Sequence, residues 1–118
     1  MQLALTIMIA LVAVLHLYFL VLEMFLWTRP AGLRAFGQTR QQAEASKVLA
    51  ANQGLYNGFL AAGLLWGAFF GGGFRVEAFF LGCVIVAGVY GGATAGRKIL
   101  LIQALPAGIA LALLLLAH

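Results

Sequence analysis

The sequence predicts an all-α integral membrane protein, a bundle of four transmembrane helices with both termini on the non-cytoplasmic side. Three observations carry that expectation. Of the 118 residues, 64% are hydrophobic and 8% charged, and the mean hydropathy of +1.06 lies well outside the range of soluble domains. The apolar residues fall into four runs, about 3–27, 46–70, 76–92 and 98–117, close to the ~20 residues a bilayer requires, so residues 1–118 form a single transmembrane domain. The cations are lopsided as well: Arg29, Arg34, Arg40 and Lys47 lie at the first connection and Arg97 and Lys98 at the third, against Arg75 alone at the second. Positive charge is retained in the cytoplasm, which places the first and third connections there.

The same composition excludes several function classes. A net charge of +4 suggests nucleic acid only until its location is considered; cations flanking membrane spans set orientation, so nucleic acid is not an expected partner. The lone Cys83 rules out an internal disulfide and a CxxC motif, and inside an apolar run it reads as a small buried hydrophobe. The N-terminal run lacks a basic leader and is interrupted by Glu23, so it reads as a retained span rather than a signal peptide.

The first span closes on Trp27, Arg29 and Pro30: an interfacial ring, a cytoplasmic cation and a helix breaker. It contains His16 and Glu23, seven residues and about 10 Å apart but nearly aligned on one helix face. Thr39 followed by Gln42 has the spacing of a capping box and starts the second helix. Gly71, Gly72 and Gly73 break the chain before the third span. Gly88, Gly92 and Gly96 recur at every fourth position, which suits either close helix contact or a flexible turn. The fourth span carries Gln103 and Pro106, and the proline removes a helical hydrogen bond to Ile102.

The most informative stretch is Asn52 to Gly58, which sets Asn52, Gln53, Tyr56 and Asn57 in an otherwise apolar run. On a helix they cover an arc of roughly 140°, which lipid cannot satisfy. Gly54 and Gly58 point elsewhere, toward a neighbouring helix. Gly63 and Gly67 lie on the polar face and would leave space beyond it, an apolar chamber under a polar collar. With alternating helix directions, Glu23, Tyr90, Asn52, Gln53 and Gln103 fall in the cytoplasmic half, and His16 and Asn57 near the midplane. The expected site is therefore one pocket lined by His16, Glu23, Asn52, Gln53, Tyr56, Asn57, Tyr90 and Gln103, reachable from the cytoplasm. Each of these residues also has a plainer reading. Glu23 could pair with Lys98, Arg97 or Arg29, and the amides could be interhelical glue worth about 1 kcal/mol each. His16 with Glu23 alone is too small a ligand set for a metal, and the pattern calls for no cofactor.

The segment Leu15-His16-Leu17-Tyr18 leading to Glu23-Met24-Phe25-Leu26-Trp27, with Leu49 to Ala61 around Asn52-Gln53-Gly54-Leu55-Tyr56-Asn57-Gly58, resembles a family of small bacterial inner-membrane proteins catalogued as a domain of unknown function, DUF 1304. The resemblance covers essentially the whole chain. It implies four transmembrane helices in the bacterial inner membrane and a shared polar set of His16, Glu23, Asn52, Gln53, Tyr56 and Asn57; it implies no activity. A looser likeness, in architecture and residue types alone, is to the sterol isomerase and sigma-2 receptor group.

Three function classes follow. The favoured one is binding or carriage of a small amphiphilic or lipid-like molecule. The second is a membrane enzyme acting on a lipid-soluble substrate with Glu23 or His16 as general acid or base, although their separation along the helix disfavours direct cooperation. The third is a structural or assembly subunit. The expected partners are the bilayer, a small amphiphile and a further copy of the chain, met through glycine-rich helix faces.

Overall fold

A computed structural model describes Met1–His118, and every regular element is helical. The helices are α1 (Gln2–Met24), α2 (Pro30–Phe36), α3 (Arg40–Phe69), α4 (Gly73–Thr94) and α5 (Arg97–Ala117), the last with a π-helical segment at Leu100–Ala104. Helices α1, α4 and α5 are long and apolar enough to cross a membrane, which marks the chain as a membrane protein. Helix α3 is the longest at 30 residues, but its charged first turns and its amides lower its hydropathy.

The boundaries follow from local chemistry. Helix α1 stops at Met24 rather than at Trp27, with the Phe25 and Leu26 amides both donating to the Val21 carbonyl. Pro30 then opens α2 instead of merely ending α1, because its fixed φ and missing N–H suit the first helical position. Gly37, at φ 62°, closes α2 in the left-handed region that favours glycine. The capping box expected at Thr39 is formed in full: the Gln42 amide donates to Thr39 Oγ1 at 3.1 Å, and the Thr39 amide donates to Gln42 Oε1 at 3.0 Å. In α5 the Leu105 amide donates to the Leu100 carbonyl, five residues back. This π segment sits immediately before Pro106, whose ring excludes the ordinary bond to Ile102.

The chain divides into two compact units, Met1–Val14 with Leu60–His118, and Leu15–Phe59; α1 and α3 contribute to both. The first unit holds an apolar core in which Leu5, Ile9, Val12 and Ala13 of α1 cluster with Ala61 and Leu64 of α3, Leu81 and Val84 of α4, and Ala107, Ala110 and Leu114 of α5. In lipid the hydrophobic effect gives helices little reason to associate, so atomic contact must do so. Glycine provides it. A Cβ on Gly88 would lie 2.7 Å from the Ala104 amide nitrogen, and one on Gly92 2.8 Å from Leu100 Cβ, while Gly96 turns the chain at φ 156°. The glycine series thus serves contact at its first two members and a turn at its last.

The apolar chamber expected beyond Gly63 and Gly67 is absent. The Phe80 ring fills the space over Gly63, where a Cβ would meet it at 2.4 Å, and the Glu77 side chain fills the space over Gly67, at 2.6 Å. Small residues on one helix were compensated by large ones on the next.

In the second unit α3 turns a face of small residues to α1. A Cβ on Gly54 would lie 2.7 Å from Met24 Cγ and 3.1 Å from Glu23 Cβ, and one on Gly58 2.7 Å from Leu20 Cδ1. This is the neighbour-facing role expected of that pair. The α1–α3 connection folds tightly against the helix ends: Trp27 Nε1 donates to Ser46 Oγ at 3.1 Å, and the Trp27 and Phe36 rings lie 4.8 Å apart.

Candidate functional site: a carboxylate held between α1 and α3

Helix periodicity explains how Glu23 acquires a partner. The buried positions of α3 in this unit are Ala43, Ala50, Gly54 and Asn57, spaced seven, four and three residues apart, a stripe of which Gly54 and Asn57 meet α1. Because Gly54 brings the backbones together, Asn57 reaches Glu23, and its Nδ2 donates to Glu23 Oε1 at 2.5 Å. An amide donor satisfies one carboxylate oxygen without adding charge, which suits a site at membrane depth.

Beside this pair an open cleft of about 390 Å³ is lined by Glu23, Met24, Phe25, Trp27, Thr28, Lys47, Val48, Ala51 and Asn52. Its walls are amphipathic. Met24, Phe25, Trp27, Val48 and Ala51 supply apolar surface, and Glu23 at the end of α1, Thr28 just beyond it, and Lys47 and Asn52 in the first half of α3 supply polar groups. Lys47 Nζ lies 3.2 Å from Glu44 Oε2, so the rim cation is paired with Glu44.

Of the eight residues expected to line one pocket, Glu23 and Asn52 lie in the cleft wall and Asn57 bonds Glu23. The other five are not in that wall. His16 is fully buried, 5.5 Å from the Phe19 ring in an edge-on contact. Gln53 and Tyr56 are exposed on α3, Tyr56 at 55% and beside the Phe59 ring. Tyr90 is exposed on α4, and its carbonyl accepts the Thr94 hydroxyl at 2.7 Å. Gln103 is half-buried in the π segment. For Tyr56 the physical reason is rotation: it sits roughly 200° from Gly54, so the face that packs on α1 leaves it on the opposite one.

The sequence reading passed over one residue. Glu77, near the start of the third apolar run, is buried in the first turns of α4 against Gly67. The signal lay in the spacing of Gly63 and Gly67, which left room for something large from the next helix.

Comparison of the sequence with known proteins shows its family. The family model described as "Protein of unknown function (DUF1304)" matches residues 10–115. The chain belongs to this family. An uncharacterized protein, YpaA, of Lactococcus lactis subsp. lactis (strain IL1403) is similar to it, 32% identical over 103 residues that cover 84% of this chain and 87% of the relative. No solved structure matches. The match spans both Glu23 and Asn57 as well as the cleft between α1 and α3.

Proposed function

We propose that this chain is a four-span bacterial inner-membrane protein that binds or carries a small amphiphilic, lipid-like molecule at the Glu23 cleft, which opens toward the cytoplasm. The observation that carries the reading is the placement of a hydrogen-bonded carboxylate in the wall of an open cleft whose other walls are aromatic and aliphatic. Such a site fits a molecule with a polar head and an apolar body.

Two arguments support the topology. Helix α3 packs against α1 in both units, which supports a crossing by α3 beside α1; at 30 residues it is about 45 Å long, ample for a bilayer. The cation distribution supports a cytoplasmic α1–α3 connection and start of α5, with both termini outside. The reading as an acid–base enzyme has less support, because His16 is not in the cleft wall with Glu23.

Native mass spectrometry of the protein released from its own membranes tests this reading. The wild-type chain should retain a small-molecule adduct that Glu23→Gln loses by at least about tenfold in occupancy, about 1.4 kcal/mol. An absence of adduct, or an adduct unchanged by Glu23→Gln and by Trp27→Ala, would remove the binding reading.

A further inference from the structure

Helix α3 presents two unlike faces in the Leu15–Phe59 unit. The small face is covered by α1. The opposite face carries Leu49, Asn52, Tyr56 and Phe59, spaced three, four and three residues apart and all exposed, Leu49 at 74% and Phe59 at 56%. That 3–4–3 spacing is the seam of a left-handed helix pair, and by helix geometry the four residues lie within roughly 40° of the direction opposite Gly54.

Two polar side chains stand in this seam in a segment otherwise apolar enough for lipid. The Asn52 amide, at the edge of the cleft, and the Tyr56 hydroxyl make no side-chain hydrogen bond within the chain, and hydrocarbon offers the Tyr56 hydroxyl none. Counting from Lys47, Asn52 lies about 7 Å and Tyr56 about 13 Å into the helix, so Tyr56 is beyond the reach of interfacial water.

We infer that this face of α3 is an interface with a second copy of the same chain, the two α3 helices running parallel about a twofold axis along the membrane normal. The chemistry of the seam selects that occupant. An amide is both donor and acceptor, so Asn52 satisfies Asn52 of an identical helix at the same depth, as a single asparagine in a helical seam is known to fix register and copy number. The seam is uncharged and is not opposed by like-charge repulsion. The glycine-rich faces expected to join copies are already filled within the chain, by α1 over Gly54 and Gly58 and by α5 over Gly88 and Gly92. Gln53 and Leu55 flank the seam on either side, where they border the pair rather than fill it.

Oxidative cross-linking in native membranes tests the interface without reference to any ligand. In a Cys83→Ser background, single substitutions Leu49→Cys, Asn52→Cys, Tyr56→Cys and Phe59→Cys should each give disulfide-linked pairs. Gln53→Cys and Leu55→Cys, exposed but off the line, should give at least about threefold less, and Ala50→Cys essentially none. Uniform cross-linking, a maximum off the seam, or none at any position overturns the inference. Native mass spectrometry supplies the second readout: two copies are expected, with dissociation about three- to thirtyfold easier in Asn52→Leu. One or three copies, or a pair indifferent to Asn52→Leu, contradicts it.

Discussion

Glu23 is kept at its depth by a neutral donor. Removing Asn57 would leave a carboxylate oxygen without its partner, a loss of about 1–3 kcal/mol. Asn57→Leu should therefore lower stability, measured by denaturant titration in bicelles, and Glu23→Gln should cost less in that background than alone. The coupling in the double-mutant cycle is expected at about 0.5–2 kcal/mol, and strict additivity would show that the bond contributes nothing. Gly54 makes the bond possible: Gly54→Val places new atoms where a Cβ already lies 2.7 Å from Met24 Cγ, and should cost about 1–3 kcal/mol. Gly82→Ala, with nothing within 4 Å of its Cβ, should be neutral or stabilising by up to about 1 kcal/mol in the same assay. At this scale the sequence identified Glu23 and Asn57, and it separated Gly54 and Gly58 from the polar arc. It could not say that Tyr56 turns away from α1, because periodicity fixes which residues share a face but not which face meets which helix.

At the scale of elements, local chemistry was legible where partners are close in the chain. The reciprocal bonds of Thr39 and Gln42 needed only three residues of spacing to foresee. Thr39→Ala should cost about 1 kcal/mol and speed amide exchange of Gln42 several-fold, whereas Thr39→Ser retains the cap; equal exchange in both variants would contradict this account of the helix start. Pro30 was read only as a helix breaker, and α1 does end before it; that it also opens α2 was missed, because a proline can stop one helix and start another. Pro106 was read correctly as a site of loosening, but the π segment before it was not specified, since a five-residue bond is one of several ways to bypass a missing donor. The space over Gly63 and Gly67 failed for a tertiary reason: Phe80 and Glu77 fill it from α4, and nothing within α3 announces that.

For the whole molecule, composition was sufficient for the all-α membrane class, and the motifs around Glu23 and Asn52 pointed to the family whose model matches residues 10–115. Depth was the weaker inference. Residues at matching levels on four spans need not converge, and the cleft is built from the end of α1 and the start of α3 instead. The proposed orientation makes that cleft cytoplasmic, the feature on which carriage of an amphiphile between membrane and cytoplasm depends. The most direct measurement is modification by a membrane-impermeant maleimide of Thr28→Cys and Val48→Cys, each in a Cys83→Ser background, in inverted and in right-side-out membrane vesicles. Both positions should react in inverted vesicles, where the cytoplasmic face is outward, and stay unmodified in right-side-out ones. Reaction from the opposite face alone would contradict the account, and so would protection in both preparations.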